Sequence, residues 1–291
     1  MKYLLFNPKA INCRIDEKTD CGEDTKVINL LSIDVKGFID GVTDKDEIFL
    51  YGGDGTFNRF INDVYGMDIP APVYLVKSGT GNDFLRDIGD FESERSRDLR
   101  EYMKNLPEVV INGERRRYIN GIGFGIDGMV CEVADDLIAK GETNINYTTL
   151  SIKLLLFKYK RPDAKVTVDG KVYEYKNVWI SSAMKGRFYG GGMMVAPVQD
   201  RMSGKLSVMI MHGGSKLKTL MVFPKLFKGE HIKHTEMVEI IEGDNVKVEF
   251  SIPCALQVDG ETYRNVSSYE AFSRRLSVSE SASESDIKVT V

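Results

Sequence analysis

The feature that most constrains this chain is a glycine-rich segment between a buried strand and an amphipathic helix. Residues 47–51 are an apolar run typical of a buried strand, and residues 56–64 carry apolar side chains at helical spacing. Between the strand and the body of the helix lie Gly52, Gly53, Asp54, Gly55 and Thr56. N–H groups at a helix start bind phosphate well, and glycines let it approach closely. The segment therefore predicts a phosphate-binding turn, where Asp54 could orient magnesium or a sugar hydroxyl and Thr56 could cap the helix or donate its hydroxyl.

A second unit of the same kind follows. Residues 72–76 read as a strand, and a helical pattern begins at Phe84. The turn between them contains Ser78, Gly79, Thr80, Gly81, Asn82 and Asp83. Taken alone, this turn is also typical of a capped helix start. Two successive strand–turn–helix units predict a doubly wound parallel α/β sheet, in which both turns meet at the carboxyl edge and form one binding site.

The second half of the chain has a different pattern. From about Glu108 short alternating strands and hairpin signals dominate, such as Asp169-Gly170 between two alternating runs. We therefore divide the chain into an α/β domain over residues 1–114 and a β-rich domain over residues 115–276. Residues 277–291 are rich in Ser and Glu and read as a loose tail that could end in an edge strand.

Composition excludes several classes of protein. A formal net charge of −4 argues against a nucleic-acid binder, which normally carries a basic excess. Four widely spaced cysteines predict neither a disulfide framework nor a thiolate metal site. The first apolar run, residues 3–6, is too short for a signal peptide. These observations favour a folded cytoplasmic protein.

The two glycine-rich turns resemble the bacterial diacylglycerol kinase family, which includes sphingosine-kinase-like lipid kinases. The first turn is shared with NAD kinases and 6-phosphofructokinases, whereas the second, with its Gly-Asn-Asp-Phe ending, is more typical of the lipid kinases. Residues 123–128, 190–197 and 258–261 are also similar to segments of that family. The resemblance implies an N-terminal nucleotide-binding domain, a C-terminal β-sandwich and an active site in the cleft between them.

The resemblance also implies an activity and roles for residues. We expect transfer of the γ-phosphate of ATP, with Mg²⁺, to a lipid hydroxyl, with diacylglycerol as the first choice of acceptor and phosphatidic acid as product. Asn7 and the two turns would bind ATP. Asp259 would be the general base, with Glu261 orienting it or helping to hold the metal, and Asp54 is a rival for both roles. Without the resemblance, Asp259-Gly260 reads as a hairpin turn.

Two departures from the family pattern bear on metal and nucleotide binding. The family follows Asn-Pro with Ser-Gly, whereas this chain has Lys9-Ala10 after Asn7-Pro8. Ser203 and Ser207 replace two aspartates that contribute to a structural magnesium network in soluble relatives. Neutral hydroxyls hold a hard dication poorly, so these serines argue against a second metal site.

Two basic, amphipathic stretches could reach a lipid substrate. Residues 150–161 and 216–228 combine apolar side chains with lysines, which is typical of a bilayer-docking surface and equally of helices that cover a β-sandwich. We expect a protein peripheral to the inner face of the membrane that binds no nucleic acid, with a homodimer left open. Two alternatives remain: an NAD kinase, and a catalytically weakened nucleotide-binding regulatory protein of the same fold.

Overall fold

The structure, a computed structural model, describes residues 1–10, 15–19, 21–78, 81–89, 97–142 and 145–274. Its first sheet has four parallel strands in the order β2-β1-β3-β4. The strands are β1 Lys2–Phe6, β2 Thr25–Asn29, β3 Glu47–Gly52 and β4 Val73–Lys77. The helices of this domain are α1 Val35–Asp40, α2 Asp54–Asp63, α3 Asp83–Asp87 and α4 Arg100–Met103. The expected parallel α/β architecture is confirmed.

The strand order shows where the sheet offers a crevice for a ligand. The chain passes from β1 out to β2 and returns to β3 on the other side of β1, so the order reverses between these two neighbours. Helix α2 packs on the sheet through Phe57 and Phe60, both fully buried, each of which contributes about 2–3 kcal/mol by burial. The Phe57 ring also contacts Phe84 of α3, with centroids 4.7 Å apart. One apolar core therefore holds the starts of both helices at the carboxyl edge of the sheet.

The larger sheet has ten strands. Its main path runs β14-β13-β10-β7-β15-β16-β5-β6, and β8 pairs with both β15 and β9. These strands are β5 Glu108–Ile111, β6 Glu114–Arg117, β7 Gly121–Gly125, β8 Ala164–Val168, β9 Lys171–Tyr175, β10 Val178–Met184, β13 Leu206–His212, β14 Val238–Gly243, β15 Asn245–Val258 and β16 Glu261–Phe272. A small ribbon of β11 Phe188–Tyr189 and β12 Met193–Met194 lies apart.

The long strand β15 connects the two layers of this domain. Its first half pairs with β8 and its last residues pair with β7, with an irregular register between them. Phe124 of β7 therefore stacks on Phe250 of β15, with centroids 3.9 Å apart. The expected C-terminal β-sandwich is confirmed. Strands β5 and β6 also belong to this sheet, because β5 pairs with both β16 and β6.

Helices cover one side of the sandwich. They are α5 Ile126–Ala139, α6 Tyr147–Phe157, α7 Lys216–Val222 and the two short 3-10 helices Phe223–Lys228 and Glu230–Lys233. Leu154, Leu155 and Val222 join a core cluster with Trp179 of β10. In the described part of the chain, no helix has the length and apolar character that crossing a bilayer requires. The tail at residues 277–291 lies outside the described residues.

Candidate active site

The helix after the first glycine-rich turn begins two residues earlier than the sequence suggested. Strand β3 ends at Gly52 and α2 begins at Asp54, so Asp54, Gly55 and Thr56 form the first turn of the helix. Gly53 is the N-cap and no side chain caps the helix, so the prediction that Thr56 caps it is wrong. Thr56 is buried instead, and a Cβ on Gly52 would overlap its side chain. A Cβ on Gly55, in contrast, would meet no atom within 4 Å.

The Asp54 side chain joins the two turns. Its carboxylate accepts hydrogen bonds from the N–H groups of Asp83 at 2.7 Å and Phe84 at 3.0 Å, at the start of α3. Burial raises the pKa of Asp54, against the lowering effect of those bonds and of a hydrogen bond from the Asn120 side chain. Asp54 therefore holds the second turn against the first.

Asp83 connects the second turn to the sandwich domain. Its Oδ2 accepts a hydrogen bond from the N–H of Gly191 at 2.8 Å. Burial, followed by the charge of Asp54, raises the pKa of Asp83 to about 6. Gly191 has φ +79 and lies between two further glycines with positive φ, a backbone path that other residues rarely adopt. The glycine run at 190–192 therefore carries a backbone donor to Asp83.

The Asp259 carboxylate lies at the junction of the two domains. Its Oδ2 accepts hydrogen bonds from the Asn58 amide and the Ile119 N–H, both at 2.6 Å. Its Oδ1 accepts from the N–H groups of Asn120 at 2.9 Å and Gly121 at 3.0 Å. Burial raises the pKa of Asp259, although these four donors favour its charged form. Asp259 occupies the turn between β15 and β16 with φ +47, so it is a turn residue as well as a site residue.

Glu261 lies beside the same network. It forms an ion pair with Arg116, which also donates to the Tyr263 hydroxyl at 2.6 Å and to the side-chain Oδ1 of Asn58 at 3.4 Å. The Glu261 side chain is 56% exposed. The structure thus brings Asp259 and Glu261 to one network around Asn58, whereas Asp54 belongs to the network of the two turns.

A second inter-domain contact surrounds Asp87 of α3. Arg187 donates from Nε to Asp87 Oδ1 at 2.8 Å, and Arg201 donates from Nε to Asp87 Oδ2 at 2.7 Å. Arg201 also donates to the Ile119 carbonyl and, at 3.0 Å, to the Asn120 side chain. Because Asp87 and Arg201 are both buried, this pair fixes α3 against the sandwich.

The other residues that the sequence predicts to bind nucleotide lie beside the two turns. The Asn7 side-chain Nδ2 lies 3.5 Å from the Thr56 hydroxyl, and its Oδ1 accepts the Lys9 N–H. The N–H of Ser78 donates to the Gly52 carbonyl at 3.1 Å. A Cβ on Gly81 would lie 3.3 Å from Asp54. Asn82, in left-handed conformation, is the N-cap of α3. Gly79 and Thr80 lie outside the described residues.

The metal candidates from the sequence do not form a ligand cluster. Among the described residues, no three carboxylate, imidazole or thiol groups are placed to hold a metal ion together. Both Asp54 oxygens accept N–H groups, and Glu261 is paired with Arg116. Asp83 fits a nucleotide-bound Mg²⁺ better, since its Oδ1 is buried and accepts no hydrogen bond within the described part of the chain.

The loop that carries the two serines does not fit the structural magnesium network of the family. The Ser207 hydroxyl donates to Gln199 Oε1 at 2.5 Å, and Gln199 Nε2 donates to the Lys205 carbonyl at 2.9 Å. The Gln199 side chain therefore joins Ser207 to the backbone of this loop through neutral hydrogen bonds.

Sequence reasoning missed the residues that connect the parts of the site. Asn58, Asn120 and Arg201 are buried polar side chains whose partners are distant in sequence. A polar residue on the apolar face of α2 was a detectable signal for Asn58, because unpartnered polar groups are costly to bury. Arg201 had no such signal, since it lies in a polar loop.

Comparisons with known proteins agree with this geometry. The family model described as diacylglycerol kinase catalytic domain matches residues 5–118, and the model described as YegS C-terminal NAD kinase beta sandwich-like domain matches residues 120–278. A diacylglycerol kinase of Bacillus subtilis (strain 168) is 26% identical over 225 residues, which cover 74% of this chain and 71% of that protein. A diacylglycerol kinase of Mycobacterium tuberculosis (strain H37Rv) is 23% identical, covering 66% and 63%. A diacylglycerol kinase structure from Bacillus anthracis (strain Sterne) superposes with a TM-score of 0.58 at 16% identity, covering 93% of each chain.

Proposed function

We propose that this chain, which belongs to the bacterial diacylglycerol kinase family of lipid kinases, transfers the γ-phosphate of ATP to the hydroxyl of diacylglycerol. The observation that carries the proposal is the junction of the two domains, where the two glycine-rich turns and the carboxylates of Asp83 and Asp259 lie. A separate exposed apolar surface lies on the helices of the sandwich domain. The first two features suit phosphoryl transfer, and the third suits a lipid acceptor.

The start of α2 is the part of the site best suited to the phosphates of ATP. The first N–H groups of any helix lack intrahelical acceptors and point out of its N-terminus, where the helix dipole favours an anion. Open space above Gly55 leaves room for the phosphates at this end. Asp83 would hold the magnesium of the nucleotide, which when bound neutralises charge on the phosphates.

Asp259 is our choice of general base for the lipid hydroxyl. Its pKa is raised by burial, which makes it a better proton acceptor than an exposed carboxylate. Three of its four donors are backbone N–H groups, and Asn58 is the side-chain donor. A substrate hydroxyl could therefore reach Oδ2 by displacing the Asn58 amide. Glu261 would act indirectly, by holding Arg116 near Asn58.

The exposed apolar surface lies on α6, α7 and the 3-10 helix after it. It consists of the large side chains Phe157, Leu217, Met221 and Phe227, which are 77%, 67%, 61% and 42% exposed. The Lys216 ammonium donates to the Leu156 carbonyl at 2.7 Å, so the helices that carry these side chains are neighbours. Lys158 and Lys228 are exposed beside Phe157 and Phe227 in the chain. Apolar side chains with flanking lysines suit an anionic bilayer, and we call these four side chains the docking surface.

A vesicle assay tests the docking surface. We expect the double variant Phe157→Asp/Leu217→Asp to lose sedimentation with vesicles of phosphatidylglycerol and diacylglycerol, because two carboxylates would have to enter an apolar, anionic layer. Val172→Asp is the matched control, since Val172 is also 50% exposed but lies on the β9 hairpin. Equal binding by the double variant and the control would refute docking through this surface.

A transfer assay tests the function itself. The chain is incubated with labelled ATP, magnesium and separate acceptors: diacylglycerol, a sphingoid base, phosphatidylglycerol and NAD. We expect label in phosphatidic acid, and little transfer by Asp259→Asn, whose folding is checked by thermal melting. Label in NAD alone would overturn the proposal, and undiminished transfer by Asp259→Asn would remove Asp259 as the base.

A further inference from the structure

A cavity of about 330 Å³ lies between the two domains. Tyr102 and Leu106 line it from the first domain, and the segment from Arg201 to Lys205 lines it from the second. None of the residues assigned above to nucleotide, metal or acceptor binding lines it. The cavity is therefore a separate feature of the molecule.

Lys185 is the unusual residue of this cavity. It follows β10 and is only 5% exposed, and its backbone N–H donates to the Asn120 carbonyl at 2.9 Å. Within the described residues, its ammonium takes part in no ion pair and no hydrogen bond shorter than 3.5 Å. Burial, and then the charge of Arg201, lower the pKa of Lys185 to about 8 against the raising effect of the Asp200 charge, so Lys185 is still mostly protonated at neutral pH. Asp200 acts on this ammonium without forming an ion pair with it, and a buried ammonium that no described carboxylate contacts is costly, which points to a partner supplied from outside the chain.

The other charges of the cavity favour an anion. Its cationic side chains are Lys185, Arg201, Lys205 and Arg274, of which Arg201 is already paired with Asp87, and its acidic side chains are Glu101 and Asp244. Asp244 is already engaged, because its Oδ1 accepts the Ser273 hydroxyl at 2.7 Å. The Ser203 hydroxyl accepts the Lys205 N–H at 3.2 Å and keeps its own hydrogen for donation. Several cations with a hydroxyl donor suit a dianion better than a single negative charge.

We propose that this inter-domain cavity binds a phosphate monoester, with Lys185 as its buried anchor and Arg274, Lys205 and Ser203 around the phosphate. The volume exceeds that of an inorganic phosphate ion, so part of the esterified alcohol can enter with it. The alcohol could be a small soluble one or the glycerol of a phospholipid headgroup, and the phosphate chemistry is the same for both.

Hydrogen bonds of the Arg201 side chain connect the cavity to the active site. It lines the cavity and donates to the Asn120 side chain and the Ile119 carbonyl, and the N–H groups of Ile119 and Asn120 donate to Asp259. An anion beside Arg201 would compete for its guanidinium with these acceptors. We therefore expect a bound phosphate monoester to change the rate of the proposed kinase reaction, a consequence that depends on that function, whereas binding itself does not.

Calorimetry and thermal melting on the full chain test the binding site. The probes are glycerol 3-phosphate in solution and, in a separate arm, vesicles that contain phosphatidic acid, so the two arms distinguish a soluble ester from a lipid headgroup. We expect saturable binding in at least one arm, weakened at least about tenfold in Lys185→Met, which removes one charged partner. Wild-type affinity should also fall between about pH 7 and pH 9 as Lys185 loses its proton, with no such fall in Lys185→Met.

Controls separate this site from the glycine-rich turns. Lys171→Met, on the exposed β9 hairpin, should bind like the wild type, and Gly55→Ala, at the start of α2, should bind the phosphate ester unchanged. Arg274→Ala, at an exposed position, should weaken binding even if Lys185→Met folds poorly. Absence of binding in both arms, or binding that is lost in Gly55→Ala and kept in Lys185→Met and Arg274→Ala, would overturn the proposal.

Discussion

The Asn58 amide lies 2.6 Å from the Asp259 carboxylate, although 201 residues separate the two in the chain. Asn58 belongs to α2 of the first domain, and Asp259 to the turn between β15 and β16 of the sandwich. One hydrogen bond thus joins the helix that starts at the phosphate-binding turn to the carboxylate proposed as base. This bond is one of several that fix the two domains, together with those of Asp83 and Asp87 to the sandwich.

Removing the Asn58 amide should weaken the junction of the domains. We expect Asn58→Ala to lower the free energy of unfolding by about 1–3 kcal/mol, because it leaves buried polar groups without a partner. Asn62→Ala is the control, since Asn62 lies one turn later and bonds to the Arg117 backbone and to Asn58 but not to Asp259. Urea denaturation measures both, and a larger loss in Asn62→Ala would contradict the assignment.

Two neighbouring glycines should respond in opposite ways to alanine. Gly52→Ala should destabilise the chain by about 1–3 kcal/mol, because its Cβ would overlap the buried Thr56 side chain. Gly55→Ala should keep or slightly increase stability, since alanine favours the helix by up to about 1 kcal/mol and its Cβ meets no protein atom. Gly55→Ala should nevertheless lose ATP affinity, because the Cβ would occupy the space left for phosphate. Thermal melting with and without ATP checks both, and normal ATP affinity in Gly55→Ala would place the phosphates elsewhere.

Replacing Gly191 by alanine should lower activity more than the loss of stability alone explains. Gly191→Ala forces alanine to φ +79, at a cost of about 1–2 kcal/mol, and should displace the N–H that binds Asp83. Gly66→Ala imposes a similar strain at φ +83 after α2, away from the site. Both variants should melt at lower temperature, and only Gly191→Ala should lose kcat in the transfer assay. Equal losses of kcat in Gly191→Ala and Gly66→Ala would show that the glycine run at 190–192 has no specific role in the site.

Acid should destabilise the protein partly through His231. Burial lowers the pKa of His231 to about 4, below the value near 6.5 of an unfolded histidine. Between these values the unfolded chain binds more protons than the folded chain. The contribution of neutral His231 to the free energy of unfolding is therefore complete above about pH 6.5 and is lost as the pH falls towards 4. At about 1.4 kcal/mol per pH unit the full effect is of the order of 3 kcal/mol.

The comparison with His231→Gln isolates this effect. Glutamine can still reach the Val195 carbonyl, which lies 3.0 Å from the His231 ring nitrogen, but it does not titrate. Unfolding free energies of both proteins are measured between about pH 4 and pH 7. We expect the difference between them to shrink or reverse on acidification, and a constant difference would exclude His231 as a source of acid sensitivity.

The sequence predicted the elements whose signals are local. Strand β3, helix α2 and the two glycine-rich turns follow from apolar periodicity and from glycine. Motif resemblance identified the family and the β-sandwich, and family matches to residues 5–118 and 120–278 confirm it. The start of α2 was misplaced by two residues because glycines at its N-terminus hide the helical pattern. The roles of Asp259 and Glu261 stay predictions.

The long-range contacts could not be predicted, because their signals lie in partners far apart in the chain. Asp54 was expected to face magnesium or sugar, yet its carboxylate accepts the N–H groups of Asp83 and Phe84. A single aspartate in a glycine-rich turn is compatible with both arrangements. Lys185 likewise resembles any surface lysine until the fold buries it.

The hydrogen bonds from α3 to Asp54 also restrict how a nucleotide can lie in the crevice. Two helices start there, but the N–H groups of Asp83 and Phe84, at the start of α3, are already used by an internal carboxylate. A phosphate arriving at that end would meet a negative charge in place of donors. In the proposed complex, backbone donors for the phosphates therefore come from the start of α2, and Asp83 and Phe84 at the start of α3 contribute none.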